Sequence, residues 1–276
     1  MGGMSQTLIA ALPSRAVITV GGPDARAFLN GLLSQEVETL ASGELRFSGL
    51  LTPQGRLLYD LFVAAAGDGL LLDVAAQHRD AILARLALYR LRAKVELAAS
   101  DSAVLAKFPA HASELEKGWC ADPRLPALGW RAYGLGVATT ATEDDYDAYR
   151  LALGVPGPAD WGSDKTYPIE ANFDLLNGID FKKGCFVGQE TTSRMKRRGA
   201  IKTRMLPIVF DGPPPAFGTE VLAGELRAGE VLSGRDGRAM ALLRLDRVDG
   251  AALTADGRAV TVEWPDWVPA TPLPSS

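Results

Sequence analysis

Beyond Pro213-Pro214-Pro215 the chain breaks into short strand-like runs at residues 220–222, 229–232, 239–245 and 260–263, with Asp236-Gly237 and Asp256-Gly257 among the turns between them. Asp-Gly pairs accept the left-handed backbone of a tight turn, so runs of this kind pair with their neighbours in antiparallel fashion. The expectation is a small antiparallel barrel or sandwich at the C-terminal end, with the triple proline as its boundary.

Upstream, strands and helices are mixed. Residues 16–20 read as a strand ending at Gly21-Gly22, and Asp24 as the cap of a helix carrying Phe28, Leu29, Leu32 and Leu33 at helical spacing. Residues 45–51, 56–63 and 70–74 read as strands, 80–91 as a helix, 95–98 and 104–108 as strands, and 143–153 as a helix. The stretch around Asp122-Pro123-Arg124 is rich in loop signals, and residues 154–178 read as an ordered, irregular connection of the kind that often carries function. A length of 276 residues suits roughly two domains.

The most apolar run, residues 57–66, is interrupted by Asp60 and falls far short of the roughly 18 residues a membrane helix needs. No basic residue precedes Arg15, so no charged leader is visible, and a cytoplasmic protein is expected. Two cysteines cannot form a disulfide framework, which points to a reducing compartment.

The formal charge of -4 conceals a strong local excess, because residues 182–204 hold eight basic residues and one acidic one. Cys185 lies inside this segment, after Lys182, Lys183 and Gly184, and just ahead of a helix predicted to begin near Gln189. A thiol beside lysines and before a helix N-terminus feels a positive potential that favours its thiolate. The segment suits an anionic group, such as a polyglutamate tail, a phosphate or an RNA backbone. The bland alternatives are a small buried cysteine and a solvated basic face. Cys120, with Lys117 its only basic neighbour, reads as structural, and His78 and His111 as capping or exposed residues. There is no Cys-x-x-Cys pair, no phosphate-binding loop and no dinucleotide fingerprint, so Cys185 can be at most one ligand of a shared or transient cluster.

Lys183-Gly184-Cys185-Phe186-Val187-Gly188-Gln189-Glu190, followed by Arg194 and Gly199, closely resembles the signature of the YgfZ family of folate-binding proteins. Gly22-Pro23-Asp24-Ala25, residues 51–56 and residues 88–95 resemble further family blocks. The resemblance implies an α+β fold shared with the glycine-cleavage T-protein: interlocked domains around a central hole, including a ferredoxin-like part, over residues 1–204, and a β-barrel over 205–276. It implies tetrahydrofolate or a derivative in the hole, and a role in assembling or repairing iron–sulfur proteins, including radical enzymes that modify tRNA. Cys185 would be the working thiol. Tyr146 falls at an aromatic position of the family's pocket, a second such position falls near Arg15, and Arg150, Glu170 and Asn172 are candidate polar contacts.

An accessory factor with iron–sulfur client or assembly partners is therefore the leading reading. A tetrahydrofolate-dependent aminomethyltransferase is the alternative, invited by the shared fold, but the Lys-Gly-Cys signature separates this chain from the transferases. Contact with tRNA through residues 194–204 ranks third, because acting on tRNA-modifying enzymes does not require touching tRNA.

Overall fold

The computed structural model describes residues 7–109, 116–162, 164–198 and 201–269; His111 and Gly199 lie outside them. The first strand, β1 (Leu8–Ala11), is followed by β2 (Arg15–Gly21), helix α1 (Ala25–Leu32), β3 (Leu45–Leu51), β4 (Leu57–Ala66) and β5 (Gly69–Ala75). Helix α2 (Arg79–Arg90), β6 (Glu96–Ser100), β7 (Val104–Phe108), β8 (Trp119–Ala121), β9 (Trp130–Tyr133), α3 (Glu143–Ala152) and α4 (Gln189–Arg198) come next. The chain then forms β10 (Thr203–Val209), β11 (Glu220–Ala223), β12 (Leu226–Arg235), β13 (Arg238–Arg244), β14 (Leu253–Ala255) and β15 (Arg258–Val262).

Three sheets result. A five-stranded sheet has the order β3-β4-β5-β2-β6, a four-stranded sheet the order β1-β7-β9-β8, and β10-β13-β12-β11-β14-β15 close into a barrel. The two open sheets interlock: β1 pairs with β7, yet all of the five-stranded sheet lies between them in sequence.

Side-chain alternation explains the layers. Ile18, Val20, Leu61, Val63, Leu70, Leu72 and Val74 point to one face of the five-stranded sheet, where they meet Leu29 of α1 and Ile82 and Leu86 of α2. Phe47, Phe62 and Ala64 point to the other, into a core shared with Trp161, Phe173, Phe186 and the barrel's Met205 and Met240. A third cluster, including Leu206, Val221, Val231, Ala241 and Val260, fills the barrel.

Several expectations are corrected. Pro213-Pro214-Pro215 is not a boundary: it lies inside the barrel, between β10 and β11. The segment read as loop around residue 122 is flanked by β8 and β9, and β1, β10 and β14 were not foreseen. Asp24 stands at the N-cap of α1 but makes no cap bond; its Oδ2 accepts from the backbone N–H of Lys94.

Candidate functional site

A cavity of about 430 Å³ opens among the β1–β2 turn, β4, the end of β5, α3 and residues 158–161. Its polar wall is a buried ionic chain. Arg15 Nε donates to Asp73 Oδ1 at 2.6 Å and Arg15 Nη1 to Asp60 Oδ2 at 2.8 Å. Arg131 Nη1 donates to Asp73 Oδ2 at 2.6 Å, and its Nε to Asp122 Oδ2 at 3.3 Å. Arg124 closes the chain with a fork onto both oxygens of Asp122, at 3.0 and 2.7 Å. Burial acts to raise the Asp122 carboxyl, but the facing Arg124, helped by Arg131, holds it below the ordinary carboxylate range. The Arg131 guanidinium lies over the Phe62 ring, 3.9 Å from its centroid.

Tyr146 and Arg150 reach this cavity from α3. The helix starts where it does because Thr142 and Asp145 form a reciprocal capping box. The Tyr146 hydroxyl accepts from Arg124 Nη2 at 2.8 Å and Arg131 Nη2 at 3.4 Å. Its ring meets Phe108 edge-on at 5.3 Å. Arg150 donates to Asp147 Oδ1 and to the carbonyl of Val155, and lies 3.7 Å from Asp160. A Cβ on Gly157 would stand 2.7 Å from the Arg150 guanidinium carbon, so only glycine lets that group settle there. Asp60 Oδ1, Arg124 Nη1 and Arg150 Nη2 have no protein partner among the described residues, leaving one acceptor and two donors free.

Arg15 does line the cavity, as a buried ion-pair member. Glu170 and Asn172 do not line it. Glu170 accepts from the Tyr167 N–H at 2.9 Å, and burial pushes its carboxyl up. Asn172, at φ +62° and fully buried, donates to the Met205 carbonyl at 2.7 Å and accepts from Arg204 at 2.9 Å. Both residues lie at the joint with β10, where the Met205 N–H also donates to the Glu170 carbonyl at 2.8 Å.

Cys185 stands apart from the cavity, exposed in the loop that precedes α4. Three anchors hold that loop. Lys183 turns inward, 9% exposed, and its Nζ donates to the carbonyls of Asn30, Leu33 and Gln35 at 2.7, 2.8 and 3.0 Å. It satisfies acceptors left over at the end of α1 instead of standing beside the thiol. Desolvation lowers its pKa to about 8. Phe186 is buried in the core that also holds the cavity residues Phe62 and Trp161.

Gly188, at φ +82°, lies so close to the 52–55 turn that a Cβ would come 2.6 Å from the Thr52 carbonyl oxygen. Gly55, at φ +81°, answers it: its Cβ would come 2.9 Å from the Gly188 oxygen and 2.9 Å from Thr191. Two stretches 133 residues apart thus meet backbone to backbone through paired glycines.

Gly184 is different. Among the described residues a Cβ there would meet nothing within 4 Å, and its φ lies outside the left-handed region. Glu190 and Arg194 are exposed and Gln189 is half-buried on α4, whose exposed residues also include Lys196 and Arg197. Cys120 sits half-buried on β8, and burial raises its pKa. Of the cavity's buried arginines, Arg124 and Arg131 carry no expectation from sequence; Arg131 meets Asp73, 58 residues away along the chain, and the Asp122–Arg124 pair lies in a stretch that reads only as loop.

Residues 202–270 match the family model described as the CAF17 C-terminal beta-barrel domain. The mitochondrial iron–sulfur cluster assembly factor IBA57 of Mus musculus is 30% identical over 302 residues, covering 94% of this chain and 84% of that protein. The Homo sapiens protein of the same name is 31% identical over 300 residues, with the same coverage of 94% and 84%. The IBA57 homologue of Mycosarcoma maydis is 33% identical over 238 residues, and the chain spans 59% of its length. In fold, the chain matches the glycine cleavage system aminomethyltransferase T of Bartonella henselae with a TM-score of 0.76, 20% identity, and coverage of 96% of this chain and 87% of that one.

Proposed function

Because the chain belongs to the family of the IBA57 iron–sulfur cluster assembly factors, we propose that it serves iron–sulfur cluster assembly through an exposed thiol, Cys185, and holds a tetrahydrofolate in the separate cavity. The named relatives are IBA57 factors, which narrows the likeness to YgfZ proteins drawn from the motif. The observation that carries the reading is the state of the Cys185 loop: it is pinned by Lys183, Phe186 and Gly188, yet leaves the thiol open to solvent. A rigidly presented, accessible thiol suits transient ligation of a cluster shared with a client or assembly partner, which supplies the remaining ligands. Gly184 fits the same picture, since nothing among the described residues requires a glycine there and a partner's close approach would.

The cavity's donor set fits a reduced folate. A pterin edge carries both donors and acceptors, and the free Asp60 oxygen and the Arg124 and Arg150 nitrogens offer both kinds of partner. A volume of about 430 Å³ lies within the range of small-molecule sites. When bound, tetrahydrofolate brings a reduced pterin and one-carbon chemistry. The chain's own residues orient it: Tyr146 and Phe62 as apolar walls, the ionic chain as a fixed polar floor. The motif's likeness to YgfZ proteins extends the proposal to clients among tRNA-modifying radical enzymes, and the two free cysteines suit a reducing, cytoplasmic setting.

Complementation of a strain lacking its own factor tests the thiol: Cys185→Ala should fold normally and fail to complement. Complementation at wild-type level would remove Cys185 from the mechanism. Equilibrium binding of tetrahydrofolate tests the cavity. Tyr146→Ala and Asp60→Asn should weaken it by about tenfold or more, while Glu170→Gln, outside the cavity, should bind as wild type. Turnover in an aminomethyl-transfer assay would favour a transferase over an accessory factor.

A further inference from the structure

The cavity's charges are unevenly spread. Arg15, Arg124, Arg131 and Arg150 on its floor are met by Asp60, Asp73, Asp122 and Asp160, cation for carboxylate. The floor is balanced, and its free polar atoms belong to the buried residues Asp60, Arg124 and Arg150. The lining residues that are not buried form the mouth, and among them Glu143 and Asp147 carry the only charges. Asp147 accepts from Arg150 Nε at 3.1 Å. Glu143 forms no ion pair among the described residues; its oxygens accept from the Ser14 N–H and hydroxyl at 3.2 and 2.5 Å.

The adjoining turn adds negative charge. Asp144 and Asp145 follow Glu143 in the first turn of α3. A helix N-terminus attracts anions, but that of α3 is already answered by its own acidic residues and by the Thr142–Asp145 capping box. Arg235 reaches this turn from the barrel and donates to the Asp144 carbonyl at 3.0 Å, outside the cavity lining. The cation-rich stretch 182–204 contributes no lining residue.

We infer that the mouth discriminates by charge: the site takes a reduced folate with a single glutamate and turns away poly-γ-glutamyl forms, and Glu143 and Asp147 set this preference. This rests on the proposed binding of a reduced folate, with its pterin at the floor. The floor fixes that direction, because a pterin edge needs both donors and acceptors, and the buried atoms of Asp60, Arg124 and Arg150 supply them. The glutamate end is then left at the mouth, where each further glutamate adds a carboxylate. Two carboxylates oppose it there, and among the described residues no cation lines the mouth to receive it. A mouth suited to polyglutamate would carry the reverse charge.

The test is equilibrium binding of tetrahydrofolate monoglutamate and pentaglutamate to the full chain at low and high salt. At low salt the pentaglutamate should bind more weakly by roughly fivefold or more, and the gap should shrink as salt screens the mouth. Glu143→Gln keeps an acceptor for Ser14 and removes the charge, so it should narrow the gap, and Glu143→Lys should narrow it further. Glu220→Gln, on β11 and not among the lining residues, should leave the gap as in wild type. Both ligands are measured on each variant, so a general loss of structure would weaken the two together without changing their ratio. Equal or tighter binding of the pentaglutamate would overturn the inference, as would a gap that neither salt nor Glu143→Gln moves; either result leaves the cavity standing as a folate site. Failure of both forms to bind would instead overturn the folate site itself, and the preference with it.

Discussion

By donating to three carbonyls near the end of α1, Lys183 ties the Cys185 loop to an element 150 residues earlier in the chain. Lys183→Met leaves those acceptors unmatched and should destabilise the protein by about 1–3 kcal/mol. The pH dependence has a definite sign. Desolvation puts the folded pKa at about 8, below the ordinary 10.5. Between those values the unfolded chain binds more protons, so this site's contribution to stability grows as pH rises through the window and levels off above it. Urea midpoints of wild type and Lys183→Met should therefore diverge from pH 8 upward; convergence would mean that the carbonyls hold the ammonium charged. The motif glycines divide in the same residue-by-residue way. Gly188→Ala, at φ +82° and against the Thr52 oxygen, should cost about 1–3 kcal/mol in thermal unfolding. Gly184→Ala should leave stability unchanged. The sequence made the motif visible as a unit but not the direction in which each side chain turns: Lys183 was read as the thiol's neighbour and is the loop's anchor.

Between elements, the joint that matters most is the one that seats the barrel. Asn172 and Asp174 receive the Arg204 guanidinium, and Asn172 donates to Met205, so residues 172–174 clasp the first barrel strand. Asn172→Ala should lower stability by about 1–3 kcal/mol and leave the proposed tetrahydrofolate binding unchanged. Paired thermal melts and binding isotherms check both halves. Elements with a clear local period were readable: β3, β7 and α3 fall within a residue of their expected bounds. β8 and β14, three residues each, are too short to display alternation and exist because neighbours complete their hydrogen bonds. The triple proline misled for a related reason, since a barrel admits such a break in a connection without ending the domain.

At the scale of the molecule, the ionic chain Arg15–Asp73–Arg131–Asp122–Arg124 joins the two open sheets across the cavity. Arg15 and Asp73 belong to the five-stranded sheet and Arg131 to the four-stranded one. Removing one member strands a buried charge, so Asp122→Asn should destabilise by about 3–5 kcal/mol at neutral pH. The Asp122 carboxyl is held below its ordinary value, so its contribution is complete above that value and is lost as pH falls through the lower, folded one. The gap between wild type and Asp122→Asn in urea should accordingly close under acid conditions. Nothing in the sequence near Asp122 signalled this, because its partnership with Arg131 depends on how β8 and β9 fold back on each other.

The interlocking of the two sheets also sets an order of events during translation. A nascent chain extended only to Ser100 already contains every strand of the five-stranded sheet and neither helix it needs is missing. It contains β1 as well, but not β7, the strand to which β1 pairs. The five-stranded sheet can therefore assemble as the ribosome works, while β1 waits with its edge open until β7 is synthesised. The first strand to be made is thus paired only after the five strands that follow it.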